Sequence, residues 1–329
     1  MSIRRLAKPY AAPIDSLAWF HVANTAALYA GAIVLGTMFW GNFLVMAVAV
    51  LMFFAGTTRF FGIQHDCGHL SYFKSRRTNE VVGVLTGAFT GNAYYAMRYN
   101  HNRHHAYIGN LDERDAHEVL TWTVAEYQAA SPGMKLFYRI YRSAFVLYFI
   151  GPIFVIFIRY RYPKNAAKTG MRDILMQNTL MFGFWASLWI LFGWQAFAFT
   201  IIAGMISACM GVFMVYVGHN YEDAYWEHAE SCNFEDASLK GSSVLDWGPL
   251  FHFATFNFAF HDLHHLHAKI PCYRLQACHR ALENELEPTR LGVFEAIACV
   301  QWKLWDEASG KMIRFRDLPQ SAPATVPAE

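Results

Sequence analysis

Charged residues are scarce in this chain, and two long stretches have none. Asp, Glu, Lys and Arg make up 16% of the 329 residues, whereas a typical soluble domain carries about 25%. None of the four occurs in residues 16–58 or 174–221. Each stretch is more than twice the ~20 residues that one spanning helix needs. This shortage argues against two soluble domains and predicts an integral membrane protein.

Recognisable electron-transfer motifs are also missing. The sequence has no H-P-G-G haem motif, no iron–sulfur run of cysteines and no G-x-G-x-x-G after a strand. Its six cysteines form no C-x-x-C pair, so we expect reduced thiols. The net charge of +2 gives no indication of a nucleic-acid partner. Any electrons that the protein uses are therefore expected to come from elsewhere.

The two uncharged stretches predict four membrane-spanning helices in two hairpins, at about 17–39, 42–63, 174–192 and 195–218. Polar or helix-weakening residues mark the turns, at Gly41-Asn42 and at Gly193 to Gln195. Basic residues flank the first hairpin on one side only: Arg4, Arg5, Lys8, Arg59, Lys74, Arg76 and Arg77. The positive-inside rule places those flanks in the cytoplasm.

Two further apolar segments, 81–95 and 144–158, are only about 15 residues long, which favours interfacial or re-entrant helices over spans. Residues 219–315 are then expected to form a cytoplasmic helical cap. The fold class is an all-α integral membrane protein, with one domain over residues 1–315 and a disordered Pro/Ala tail at 316–329.

Three dense clusters hold eight of the fifteen histidines. They are H-D-C-G-H, with His65 and His69; H-N-R-H-H, with His101, His104 and His105; and H-D-L-H-H, with His261, His264 and His265. Residues three and four apart share one face of a helix, so each cluster can offer its imidazoles to a single site. A ninth histidine, His219, ends the fourth predicted span.

A lone histidine is more often a core or surface residue than a ligand, but repeated clusters at one membrane face favour a metal site. Nine imidazoles are too many for one ion, so two metals are predicted. Imidazole alone suits Zn, Cu, Fe or Ni, and the spacing does not choose among them. A metal transporter or membrane cytochrome would place its ligating residues inside the spans, whereas here they lie at or beyond the ends.

The three clusters, spaced around two hairpins, resemble the histidine boxes of the membrane-bound fatty acid desaturases. Y-V-G-H-N-Y-E-D-A-Y-W, the later G-S-S and H-H-L-H-A-K-I-P-C-Y-R-L extend the resemblance to bacterial omega-type (Δ12-like) acyl-lipid desaturases, from about residue 61 to 306. It implies a di-iron site whose catalytic ligands are His65, His69, His101, His104, His105, His219, His261, His264 and His265.

The resemblance also implies O2-dependent formation of a C=C bond in a fatty acyl chain, and it favours a lipid-linked chain over a CoA or acyl-carrier-protein ester as the substrate. The compact chain without a fused donor domain favours a bacterial plasma membrane over the endoplasmic reticulum. A separate carrier such as ferredoxin or a cytochrome b5-like protein would supply the electrons, and Lys269, Arg274 and Arg280 are candidates for docking it. Hydroxylation, alkyne formation and alkane or carotenoid oxidation remain alternatives on the same scaffold. Trp185, Trp189, Phe251, Phe253, Phe256 and Phe258 are candidates for lining an apolar channel.

Carboxylates that orient ligand imidazoles are expected near the site. Glu222 and Asp223 match an acidic pair of the family, and Asp262 lies inside the third cluster where a neutral residue is common. Asp66, Asp112, Asp115 and Glu118 are available too, but a solvated surface is the simpler expectation for them. Gly218 stands where many relatives have Gln.

Overall fold

A computed structural model describes residues 2–116 and 119–319. Most of the described chain is helical. The α-helices are α1 Ile3–Ala7, α2 Asp15–Met38, α3 Phe43–Gly68, α4 Arg76–Thr90, α5 Tyr94–Ala106, α6 Val124–Ala129, α7 Pro132–Tyr141, α8 Gly151–Phe157, α9 Ala166–Thr169, α10 Met171–Phe192, α11 Trp194–His219, α12 Phe234–Lys240, α13 Pro249–Ala254, α14 His261–Leu266, α15 Cys272–Ala281 and α16 Val293–Ala298.

Short strands join distant parts of the described chain. They are β1 Trp122–Thr123, β2 Ser243–Val244, β3 Thr289–Arg290, β4 Leu304–Asp306 and β5 Lys311–Ile313. β4 pairs with β1 in parallel and with β5 in antiparallel fashion, and β2 pairs with β3 in parallel. Single 3₁₀ turns cover Lys8–Ala11, Leu111–Ala116, Arg159–Arg161, Cys299–Gln301 and Phe315–Asp317, and a π turn covers Val146–Ile150.

Four helices, α2, α3, α10 and α11, are long and apolar enough to cross a membrane, which confirms the predicted number. The turns between consecutive helices have local causes. The side chain of Asn42 accepts a hydrogen bond from the backbone N–H of Val45 and so caps α3. Gly193 separates α10 from α11 with φ of 86°, a conformation that glycine adopts without steric cost.

The four long helices pack through small residues and buried aromatic rings. Gly36 on α2 lies directly against the ring of Phe199 on α11, where a Cβ would approach within 2.3 Å. Gly56 on α3 similarly accommodates Tyr29 on α2. Small residues that let backbones approach closely are typical of helix contacts inside membranes. The outward faces are apolar and exposed, as at Ile190, which is 78% exposed.

The two short apolar segments fold differently from each other. α4 packs against α3 and α10, and the amide of Gln64 on α3 donates to the carbonyls of Gly83 and Asn92. The second segment follows α7 at a bend of 57°, and the bent pair would make a fifth span if it crossed as one unit. Its large apolar side chains, including Phe145 and Phe149, are exposed.

A fully buried arginine fastens the C-terminal residues to the end of α11. The guanidinium of Arg142 donates to the carbonyls of Leu120 and Trp302, to the hydroxyls of Thr121 and Tyr216, and to Oδ1 of Asn220. The amide of Asn220 in turn donates to the carbonyls of Cys299 and Trp302. These bonds tie α11 to the chain that leads into β4. Beyond it, the ring of Phe315 packs on Tyr127, and residues 320–329 of the predicted tail lie outside the described part.

Candidate metal centre

The nine predicted ligand histidines come together from four helices. His65 and His69 lie at the end of α3, and His219 is the last residue of α11. α5 carries the second cluster and α14 the third. Because α3 and α11 are long neighbouring helices, their ends bring residues 154 positions apart in the sequence to one place.

Five of the histidines form a first group. The ring nitrogens of His65, His69, His101, His105 and His264 lie within 4.8 Å of one another. Nε2 of His101 is 2.5 Å from Nε2 of His65 and 2.8 Å from Nε2 of His105. Nε2 of His264 is 3.0 Å from that of His105. The first group is therefore drawn from all three histidine clusters.

A second group lies beside the first. His104, His219 and His265 offer ring nitrogens within 4.8 Å of one another. Nε2 of His261 joins them, at 2.9 Å from His219 and 3.1 Å from His265. The rings of His105 and His265 stack at 4.2 Å between centroids, so the two groups are in contact. Each group could hold a metal ion.

The donor set fits metal ions better than it fits a hydrogen-bonded cluster. Neutral imidazole carries one N–H and one acceptor nitrogen, so the single Nε2 of His101 cannot pair well with two other Nε2 atoms. Imidazole nitrogens about 2.1 Å from one ion lie roughly 3 Å apart when they are adjacent ligands. The Nε2 separations of 2.5 to 3.2 Å match this spacing.

Burial keeps these rings in the neutral form that binds metals. Enclosure away from water lowers the pKa of His101, His105, His264 and His265 well below the usual value, with neighbouring histidines adding to the effect. The same cause lowers the pKa of His261. Neutral imidazole is the ligand form of histidine, so the protein prepares these side chains for metal binding before any ion arrives.

Two ligand candidates are oriented through their other ring nitrogen. Nδ1 of His65 is 3.1 Å from Oδ1 of Asp66, whose Oδ2 accepts from the backbone N–H of Cys272 at 2.6 Å. Nδ1 of His219 donates to the carbonyl of Gly241 at 2.8 Å. Carboxylates and carbonyls commonly fix metal-bound imidazoles in this way. Asp66, expected on a solvated surface, is instead buried and in contact with a ring of the site.

The other carboxylates take different positions. Glu222 and Asp223 are exposed, and Asp223 pairs with Lys311 at 2.9 Å, so the structure does not bring this pair to a histidine ring. Asp262 is buried, and burial raises the pKa of its carboxyl to about 6. Asp112 pairs with His228, Asp115 pairs with Arg103, and Glu118 lies outside the described residues.

The predicted channel residues are divided between two regions. The ring of Phe258 lies 4.5 Å from that of His65, and Phe256 is buried beneath the guanidinium of Arg59. Phe253 is 45% exposed, and its ring also lies 4.6 Å from the guanidinium carbon of Arg59. Trp185 and Trp189 line an apolar groove of about 500 Å³ on α10, in the half of that helix away from the histidines. Both Gly241 and Phe258 stood out in the sequence, in the G-S-S run and among the channel candidates, but their contacts with His219 and His65 could not be predicted because they join segments 22 or more residues apart.

Comparison with known proteins gives a family match that includes all nine candidate ligand histidines. The fatty acid desaturase family model matches residues 40–296. A Bacillus subtilis (strain 168) protein named fatty acid desaturase is 34% identical over 291 residues, which cover 86% of this chain and 82% of that protein.

Two relatives have more specific names. The sn-1 oleoyl-lipid 12-desaturase of Synechocystis sp. is 26% identical over 257 residues, covering 76% of this chain and 70% of that protein. The chloroplastic omega-6 fatty acid desaturase of Arabidopsis thaliana is 25% identical over 260 residues, which cover 75% of this chain and 54% of that protein. With the family model matching most of its length, and with its histidines gathered at the ends of long apolar helices, the chain belongs to the fatty acid desaturase family of oxidoreductases.

Proposed function

We propose that this desaturase introduces a C=C double bond into an acyl chain carried by a membrane lipid, using O2 and two irons. The observation that carries the proposal is the pair of adjacent histidine groups, five rings in one and His104, His219, His265 and His261 in the other. Imidazole accepts iron among other metals, and the desaturase family favours iron here. Two touching positions would hold a pair of irons, with all nine histidines as ligands.

Bound iron would supply activation of O2 and removal of hydrogen from an unactivated methylene. The chain's own residues hold and shield the centre. Asp66 and the Gly241 carbonyl fix the rings of His65 and His219. Phe258 covers one side of His65, and most of the ligand rings are buried. Exclusion of water from such a site protects a strong oxidant from side reactions.

A lipid-linked acyl chain is the substrate we infer. The histidines lie at the ends of long apolar helices that could sit among lipid chains, and relatives are named for action on oleoyl lipids. The same geometry could support hydroxylation or alkyne formation, since these differ in the fate of the oxidised carbon rather than in the ligands. The product therefore distinguishes the candidate reactions.

We further infer that the four helices form two hairpins, with the metal centre facing the cytoplasm in a bacterial inner membrane. His65 and His219 both lie near the C-terminal end of a helix that follows a short turn, α3 and α11 respectively. This supports a topology in which both helices end on the same membrane face. Basic residues cluster on that side, among them Arg4, Arg76 and Lys269, in agreement with the positive-inside rule. The segment from 219 onward would then form a cytoplasmic cap.

Electrons are proposed to come from a separate acidic carrier. The ammonium of Lys269 donates to the carbonyl of His69, a ligand candidate, at 2.5 Å. Arg274 is engaged with the carbonyl of Ala12 and the ring of Tyr10, and Arg280 is exposed. Reversing the charge of Arg280 should weaken turnover at low salt if it contacts the carrier. Unchanged turnover would remove it from the docking surface.

The test is product analysis in a host that co-expresses the chain with a ferredoxin system. New alkenes detected by gas chromatography and mass spectrometry should appear with the unaltered protein and disappear with His104→Ala and His265→Ala. His228→Ala is the matched control, because His228 is an exposed histidine paired with Asp112 and Glu307. His-dependent hydroxyl or alkyne products would transfer the assignment to the rival reaction.

A further inference from the structure

Residues 243–261 run away from the histidines along α11, toward the N-terminal half of that helix, and then return to the histidines along α3. Below, a lower position means one farther from the histidines along these two helices. The descent begins where the hydroxyl of Ser243 donates to the carbonyl of Val217 at 2.9 Å, two residues before His219. Further along, the ring of Trp247 lies 6.4 Å from that of Phe213, six residues before His219. The chain is therefore lower on α11 at Trp247 than at Ser243.

The return along α3 mirrors the descent. The guanidinium of Arg59, six residues before His65, donates to the carbonyl of Phe253 at 2.8 Å. Higher up, Gly62 lies so close to Phe258 that a Cβ there would be 2.9 Å from its ring. The chain thus climbs from the level of residue 59 to the level of the ligand candidates at α14.

The depth of this excursion follows from helix geometry. Six residues of α-helix at 1.5 Å each correspond to about 9 Å along α3 and α11. Helical side chains lean toward the N-terminus of their helix, so the head of Arg59 contacts Phe253 at this depth or below it. α13 consequently packs against α3, within the length of a helix that would cross the membrane.

The outward side of this region is apolar and exposed. On α13, Leu250 is 81% exposed and Phe253 is 45% exposed. α16 adjoins it, because the indole of Trp247 donates to the carbonyl of Leu291 at 2.9 Å just before that helix begins. α16 exposes Val293, Phe294 and Ile297, and Phe294 is 87% exposed. We call these five side chains the α13–α16 face.

Polar groups mark the upper edge of the face. Asp246 precedes Trp247 and pairs with Arg290 at 2.7 Å and with His252 at 2.9 Å. An ion pair followed by a tryptophan and then by exposed Leu and Phe is the order expected across a membrane interface, from head groups toward acyl chains.

We propose that the α13–α16 face enters the membrane and contacts the acyl chains of the bilayer. The proposal rests on the membrane insertion of α2, α3, α10 and α11 in the proposed function, and it departs from the expectation that residues 219–315 form a wholly cytoplasmic cap. Lipid chains at this face lie next to the segment that leads to Phe258 and His65. A lipid-linked substrate that enters at this face would approach the histidines sideways from the bilayer.

The experiment measures quenching of a bimane label by brominated lipid. Full-length protein with Cys209→Ser and Cys232→Ser, the two cysteines that are not buried, is labelled at Leu250→Cys or Phe294→Cys and placed in vesicles of phosphatidylcholine brominated along the acyl chain. Two reference labels are attached to the same protein with Cys209→Ser and Cys232→Ser. Ile190→Cys lies on an exposed face of a candidate span, and Ser309→Cys lies in the exposed turn between β4 and β5.

Labels at 250 and 294 are expected to lose at least about half as much fluorescence as the label at 190, and several-fold more than the label at 309. Quenching no greater than at 309 overturns the proposal. Labels shielded both from lipid bromine and from aqueous iodide would indicate a second copy of the chain on this face, which also overturns it. If the label at 190 is not quenched, the proposed membrane insertion itself fails, a separate outcome.

Discussion

At the scale of single residues, Asp66 is a buried carboxylate in contact with a candidate ligand ring. Its two carboxylate oxygens contact Nδ1 of His65 and the backbone N–H of Cys272. Asp66→Asn keeps the size of the side chain but removes the charge that favours the N–H on Nδ1. We expect a ~10–100-fold loss of metal affinity, the usual effect of losing such an orienting partner. Iron content after dialysis against graded chelator measures it.

Asp223→Asn is the matched control for that substitution. Asp223 is an exposed carboxylate that pairs with Lys311, so its replacement should leave iron content unchanged. Equal iron retention by both variants would show that Asp66 does not orient His65.

His279 should make the protein sensitive to acid. Burial, with a smaller effect of Arg290, lowers the pKa of this ring from 6.5 to about 4. The unfolded chain then binds a proton that the folded chain does not, so stability falls as the pH drops from 6.5 to about 4. The expected contribution of His279 to the loss in free energy of unfolding is roughly 2–3 kcal/mol. Melting temperatures in detergent at several pH values should show a smaller acid loss for His279→Phe.

His228 provides a comparison of opposite sign. Hydrogen bonds from Asp112 and Glu307 raise the pKa of this exposed ring. Its contribution is therefore present below pH 6.5 and is lost as the pH rises through the elevated value. His228→Gln should remove this dependence without reducing the acid loss. An unchanged acid profile in His279→Phe would contradict the role of His279.

At the scale of helices, the contact between α2 and α11 depends on the missing side chain of Gly36. A Cβ there would come within 2.3 Å of the Phe199 ring, which is itself buried. Gly36→Ala should force the helices apart and cost ~1–3 kcal/mol, as overpacking usually does. Size-exclusion chromatography of heated samples measures the melting temperature, which should be lower for Gly36→Ala than for the unaltered protein.

Gly183→Ala is the matched control, since Gly183 also lies inside a candidate span and a Cβ there would meet no atom within 4 Å. It should be neutral or stabilising by up to ~1 kcal/mol, because alanine favours the helix. If Gly36→Ala melts no lower than Gly183→Ala, the close approach of α2 and α11 is not rigid.

At the scale of the whole molecule, Arg142 connects parts of the chain that the sequence keeps far apart. It bonds to residues near β1, to the end of α11 and to Trp302 ahead of β4, and it is wholly buried. Arg142→Met would leave several buried acceptors unpaired, at an expected cost of roughly 3 kcal/mol. Because Asn220 follows His219, metal content should fall as well. Melting temperature and iron analysis on one preparation measure both effects.

Arg316→Met is the control, because the Arg316 side chain is 71% exposed and pairs only loosely with its neighbour Asp317. It should change neither quantity. Full stability and full iron content in Arg142→Met would mean that the contacts around Asn220 are dispensable.

Local patterns in the sequence were sufficient for the spans and for the histidines. Uncharged runs of more than 40 residues predicted α2, α3, α10 and α11, since hydrocarbon demands continuous apolar helix. Spacings of three and four residues predicted that each cluster shares a helical face, as α5 and α14 bear out. The short helices α13 and α16 carry six residues each and have too little periodicity to predict.

The sequence by itself therefore determined which helices are apolar and which side chains can ligate metal, because both follow from composition and from helix periodicity. Only the tertiary structure decided that five histidines form one group and four the other, that Asp66 rather than Glu222 or Asp223 contacts a ring, and that residues 243–261 descend beside α3 and α11. These features arise from contacts between segments up to about 200 residues apart, such as Asp66 with Cys272. Local spacing carries no information about such contacts, since packing of the whole chain sets them.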